Sequence, residues 1–146
     1  MTYEEKVRWL RRYRQSLRDE TRLRERIQAV RSRAESTTQA LQPVIGGGSP
    51  DGTKIERGIE LLDQYQNELC DQLEKSQAIR VEIESAIQAL PSALQRDVLQ
   101  ARYIDGLPVW KTANRLYISE SWVLKTQSKA IENLKIVQSS PPLDVV

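Results

Sequence analysis

Apolar residues recur at helical spacing from the start of the chain, at Val7, Leu10 and Leu17 and then at Leu23, Ile27, Val30, Ala34 and Leu41, with Thr37 in the same register. The later run advances in steps of four and three, a heptad-like seam, and the earlier run sits one residue out of phase with it. No Gly or Pro precedes Gln42, and Thr2-Tyr3-Glu4-Glu5 has the spacing of a capping box. The pattern predicts one long helix with a phase shift near Glu20 to Leu23, spanning on the order of 55–60 Å at about 1.5 Å per residue. Residues 42–52, QPVIGGGSPDG, break it. Thr53-Lys54-Ile55-Glu56 is a second capping box. The helix it opens runs to about Ala89, with Ile55, Ile59, Leu62, Leu69, Leu73, Ile83, Ile87 and Leu90 on one stripe. Ser76 takes an apolar place in that stripe, and Ile79 falls off phase. Two helices of similar length across a short break predict an antiparallel hairpin. A single seam is marginal, so a further layer is expected, most simply the same hairpin from a second chain.

The pattern then shortens. Leu90-Pro91 ends the second helix, because Pro removes a donor and biases its predecessor away from helical geometry. Ser92 caps a helix through Leu94, Val98, Leu99, Ala101 and Arg102 to Tyr103, stopped by Asp105-Gly106. Pro108 opens the next, Val109 to about Leu116, with Val109, Ala113 and Leu116 inward. Tyr117-Ile118 makes a tight turn. Ser119 caps the last helix, which buries Val123, Ala130, Ile131 and Leu134. The expected fold class is all-α: a long, antiparallel, coiled-coil-like helical hairpin over 1–89 for oligomerisation, a small helix-turn-helix domain over 90–136, and a disordered Pro- and Ser-rich tail over 137–146.

Charge supports the pairing of the long helices. The net +2 divides into +5 over residues 1–41 (eleven Lys/Arg, six Asp/Glu), −5 over 42–90 (four against nine) and +2 over 91–146 (seven against five). A basic helix beside an acidic one gains orientation and partner choice, although each exposed pair contributes only about 0–1 kcal/mol. Hydrophobic content of 39% against 29% charged, with no Phe, favours long solvent-rich helices over a rich core. With no His and a single Cys, ordinary zinc sites, Cys-His catalysis and an intrachain disulfide are excluded. Cys70, beside Leu69, is expected in the core. Glu56, Glu60 and Asp63 read as a solvated acidic face, and Gly46-Gly47-Gly48 lacks the strand and the Lys-Ser/Thr of a phosphate loop. The expectation is a protein that is not an enzyme, with no cofactor or metal. No apolar run approaches eighteen residues and no signal peptide is visible, so a cytoplasmic protein outside the membrane is expected.

The spacing within 90–136 carries more than periodicity. Leu90-Pro91, Gln95-Arg96, Val98-Leu99, Arg102-Tyr103, Gly106-Leu107, Ala113, Leu116, Ile118-Ser119, Val123, Ala130-Ile131 and Leu134 form a ladder that resembles region four of bacterial sigma factors. With Trp110, Tyr117 and the long helices ahead, the chain is similar to the RinA/ArpU type, sigma-like late transcription regulators of phages and prophages. The resemblance implies a helix-turn-helix on promoter or operator DNA, and contact with host RNA polymerase. Four positions depart from the pattern. Pro108 stands for the usual Ser or Thr cap, Thr112 for an Ile, and Tyr117 for the Gly common at the turn. Leu124 stands where a basic residue often faces DNA.

If Ser119 caps the last helix, its first turns enter the major groove, with Glu120, Ser121, Leu124, Lys125, Gln127 and Ser128 outward. Lys125 suits guanine or phosphate, Gln127 adenine, Glu120 cytosine and Leu124 a thymine methyl. Lys111, Arg115 and Lys129 are placed as phosphate clamps. Trp122 is read as packing between the recognition and scaffold helices, the alternative being partial exposure with the indole donating to a phosphate. Arg8, Arg11, Arg12, Arg14, Arg18 and Arg22 spread around the first helix. They read as a solvated face with pairs to the acidic helix, or else as an auxiliary nucleic-acid contact. The leading function is a double-stranded-DNA-binding transcription regulator acting as a homo-oligomer. The rivals are the DNA-recognition small subunit of a phage packaging machine and a module that binds protein and no DNA.

Overall fold

The computed structural model describes the backbone of residues 1–40 and 51–137, and the side chains of 1–35 and 55–137. Among the described residues the chain is all-α, with no strand. In order come α1 (Tyr3–Ala40), α2 (Asp51–Gln88), α3 (Ala93–Leu99) continued by a π-helical segment (Gln100–Ile104), α4 (Val109–Leu116) and α5 (Glu120–Asn133). No described helix is long and apolar enough to cross a membrane. The predicted break over 42–52 lies outside the described residues up to Pro50, as does the tail from 138. Asp51 and Gly52 are already helical, so Thr53 lies inside α2 and is not its cap. An Asp in a first turn is favoured by the helix dipole, which carries the helix past the predicted start.

The chain divides into two compact units, one of residues 16–76 and the other of residues 1–15 with 77–146. In the first, Ser16, Glu20, Leu23, Ile27 and Val30 form the buried row of α1, in steps of four and three. The expected phase shift is thus bridged by polar residues. Gln72 Nε2 donates to the Ser16 carbonyl at 3.2 Å and to Ser76 Oγ at 3.4 Å, and Arg26 lies 6.0 Å from the Tyr65 ring centre. A satisfied polar layer in an apolar seam resists slippage, because any other register strands its donors. On α2 the predicted stripe is only partly covered. Leu62 and Leu69 are half-buried, but Ile55, Ile59 and Leu73 are 45%, 56% and 39% exposed. The covered row is Leu62, Tyr65, Leu69, Gln72 and Ser76, one step round the helix. Cys70, expected in the core, is exposed, since one residue beyond Leu69 turns it about 100° away. Glu56, Glu60 and Asp63 are all exposed, and among the described residues no group of three potential metal ligands converges.

The second unit holds the apolar core. Leu10, Ile83, Ile87, Val98, Leu99, Val123, Ala130 and Ile131 are all fully buried at 0% exposure. The start of α1 belongs to this unit. Its capping box is formed, with Thr2 N donating to Glu5 Oε2 at 2.8 Å and Glu5 N to Thr2 Oγ1 at 3.2 Å. The bond from the Thr2 amide holds the Glu5 carboxyl below the usual carboxylate range. Arg12 Nη2 meets Glu82 Oε2 at 2.7 Å, Arg80 Nη1 donates to Tyr13 Oη at 3.4 Å, and Lys6 Nζ donates to the Glu132 carbonyl at 3.0 Å. Ser92 caps α3 as predicted, accepting from Gln95 N at 3.3 Å, and Arg96 Nη1 donates to the Leu90 carbonyl at 2.6 Å where α2 has ended.

The helix predicted through Tyr103 is α-helical only to Leu99. Beyond it Asp105 N bonds to the Gln100 carbonyl at 2.9 Å and Leu107 N to that of Ala101 at 2.9 Å, a wider winding that buries Ala101, Tyr103 and Ile104 together. Gln100 Oε1 is buried without a hydrogen-bond partner. Gly106 ends the segment at φ +70°, and a Cβ there would fall against the Arg14 guanidinium. Gly106→Ala should therefore cost about 1–2 kcal/mol from the left-handed backbone alone, read as a lower urea midpoint.

Candidate nucleic-acid interface

α4 begins without a side-chain cap, because Pro108 has none to offer. The departure at Thr112 is absorbed locally. Its hydroxyl donates to the Pro108 carbonyl at 3.1 Å and the residue is fully buried, so the polar atom is satisfied and the methyl packs. Ala113, Val98 and Val123 form a small core, with Leu94, Val109, Leu116 and Ile118 packed against it. Small Ala113 at its centre brings α4 close to α5.

The turn is made by a residue that resists it. Tyr117 sits at φ 57°, ψ 43°, its amide bonded to the Ala113 carbonyl, and Ile118 N reaches the same oxygen at 3.1 Å. Its side chain is 94% exposed, so packing does not compensate the left-handed backbone. Tyr117→Gly should raise stability by about 1 kcal/mol, checked by thermal melting; a fall would mean that the ring makes contacts in solution. Ser119 then leaves the helical region and its Oγ accepts from Trp122 N at 3.1 Å, the predicted cap.

α5 buries Val123, Thr126, Ala130 and Ile131. Its other face presents Glu120, Ser121, Leu124, Lys125, Ser128 and Lys129, all exposed. Lys125 and Lys129 line two shallow grooves, one with Leu124, Ser128 and Glu132 and the other with Ser92, Leu94, Gln95, Trp122 and Thr126. Neither lysine has a carboxylate within ion-pair distance among the described residues.

Two of the predicted contact residues are engaged inside the protein. Gln127 Oε1 accepts from Arg102 Nε at 2.8 Å, which occupies half of the amide an adenine contact needs. Arg115 Nη1 binds Asp105 Oδ2 at 2.7 Å, so as a phosphate clamp it has to share its charge. Lys111 is exposed, its ammonium 5.3 Å from the Trp110 ring centre. Trp122, expected to pack between the two helices, is instead 50% exposed and lies beside the start of α3, one residue round from the inward Val123. Trp110 is 53% exposed on α4, and the sequence pattern assigns it no contact; its position beside the exposed Lys111 is the one signal that could have marked it. Comparison with protein-family models, curated proteins and solved structures finds no match to this chain.

Proposed function

We propose that this chain is a DNA-binding transcription regulator, phage or prophage encoded, whose α4, turn and α5 act as a helix-turn-helix on promoter or operator duplex. The observation that carries the reading is the outward face of α5. A helix anchored by Ser119 and by an apolar underside holds Lys125 and Lys129 outward, beside Ser121, Leu124 and Ser128, with neither lysine ion-paired among the described residues. Side chains so placed suit hydrogen-bond and methyl readout in a major groove. The ladder from Leu90 to Leu134 that resembles sigma region four supports the same docking, and contact with RNA polymerase comes from that resemblance alone.

The long helices act as an antiparallel hairpin that joins two or more copies. The exposed Ile55, Ile59 and Leu73 support this, together with a groove lined by Val30, Ala34, Ile55, Ile59 and Leu62. A net charge of +2 over 91–146 gives one module weak affinity, and two held in one particle act at high effective concentration. Selecting bound fragments from the source genome tests the function. Enrichment upstream of a gene block is the expected result. Enrichment at a packaging start would assign the chain to DNA packaging instead, and no enrichment would leave a protein-binding module.

A further inference from the structure

The first turns of α1 share a compact unit with α3, α4 and α5, and their arginines do not all serve the acidic helix. Of those in this segment only Arg12 has an ion pair with α2 among the described residues, through Glu82. Arg14 lies with its guanidinium against Gly106. Arg11, exposed and three residues before Arg14, lies on the same flank of α1; burial pushes the Tyr103 phenol up, and the charges of Arg11 and Arg102 oppose the shift. Arg102 Nη1 donates to the Leu107 carbonyl at 2.8 Å and Arg115 binds Asp105 at 2.7 Å. Three guanidinium groups, of Arg14, Arg102 and Arg115, therefore meet residues 103–107, with Arg11 next to Arg14 on α1, and Asp105 is the one carboxylate within that loop. Arg115 takes it, and neither Arg11 nor Arg14 has an ion pair among the described residues. The loop leads through Pro108 into α4, the helix that crosses the phosphate backbone when a helix-turn-helix docks.

We infer that Arg11 and Arg14 form a second backbone clamp, holding duplex-DNA phosphates beside the start of α4 while α5 occupies the groove. The inference rests on the DNA-binding reading and adds a surface that reading does not use. Both groups position the duplex without reading its sequence, because phosphates carry no base identity. Guanidinium groups suit this task, since each presents several donors in a plane that matches two phosphate oxygens.

The test uses the full chain and a fluorescein-labelled duplex of mixed sequence, titrated over about 50–200 mM salt. Arg11→Gln, which alters an exposed residue, is paired with the double variant carrying Arg14→Gln as well. Each lost phosphate contact lowers the slope of log K against log salt by about 0.9, so the single variant should lose about one unit and the double about two. Sequence preference should not change, and Arg11→Gln should melt as the parent does. An unchanged slope in Arg11→Gln and in the double variant, with Lys125→Glu still weakening binding, overturns the clamp and leaves the helix-turn-helix reading intact. A drop in melting temperature of the double variant with no change in slope makes Arg14 a packing residue and overturns the clamp equally. No binding of the parent chain to any duplex overturns both readings.

Discussion

A Lys125→Glu protein should bind its DNA about 1–3 kcal/mol more weakly, roughly 5- to 150-fold, while folding as the parent does. The separation of the two effects comes from where Lys125 stands. It is exposed, lines both shallow grooves on α5, and has no acidic neighbour within ion-pair distance among the described residues. Removing it breaks no ion pair inside the described protein. Lys and Glu have similar helix propensities, and a Glu at 125 would stand four residues before Lys129, a weakly favourable pairing. Circular dichroism and melting temperature should therefore be unchanged, and the lost affinity should appear in a gel shift or an anisotropy titration. Leu124→Ala removes apolar contact without a charge and should cost less, chiefly at sites with thymine. Unchanged affinity in a well-folded Lys125→Glu protein would take α5 out of the groove.

The pair Ile59→Asp and Leu73→Asp should convert an associated protein into monomers. Ile59 is 56% and Leu73 39% exposed, so two carboxylates here disturb little of the chain's own packing. In an interface between copies the same charges would be desolvated side by side, and each would lose more than the buried leucine or isoleucine contributes, about 1.5–3 kcal/mol. Sedimentation or light scattering of the parent and the double variant at micromolar concentration reads the outcome directly. DNA affinity should fall with it, because the second module no longer acts at high effective concentration. A parent chain that is already monomeric would remove the interface and leave the exposed edge of α2 without a partner of its own kind.

The two sets of residues behind these predictions differ in how far the sequence foretold them. Most inward positions of the last three helices were legible, although Val109 and Leu116 are only half-buried and the buried Thr126 was not foreseen. Val98, Leu99, Ala113, Val123, Ala130, Ile131 and Leu134 are buried where the spacing put them, and Ser92 and Ser119 cap where expected. Tyr117, standing where the pattern commonly has Gly, does take the left-handed backbone. The outward positions were harder. Glu120, Ser121, Leu124, Lys125, Ser128, Lys129 and Lys111 are exposed, but Gln127 and Arg115 meet Arg102 and Asp105, residues 25 and 10 positions away. A pattern that reports which way a side chain points does not report what it meets there.

The long helices show the same division. Their existence follows from unbroken runs of helix formers and from Thr2-Glu5, chemistry confined to a single turn. The spacing put Ser76 in the stripe, where it is buried, but burial of Ser16 and Glu20 was not legible, because polar residues enter a seam only when a specific neighbour satisfies them, as Gln72 does for Ser16 and Ser76. Nor was the exposure of Ile55, Ile59 and Leu73, since an apolar stripe fits either of two adjoining helix flanks. By itself, then, the amino-acid order determined what is local: the all-α composition, the caps at Thr2, Ser92 and Ser119, the turn, and most inward rows of the last three helices. Only the tertiary structure decided which flank of α2 is covered, that α3 widens into a π-helical segment, and that Arg14 lies on Gly106. Each of these depends on groups far apart in sequence meeting in space, where shape and charge select among partners that periodicity leaves equivalent.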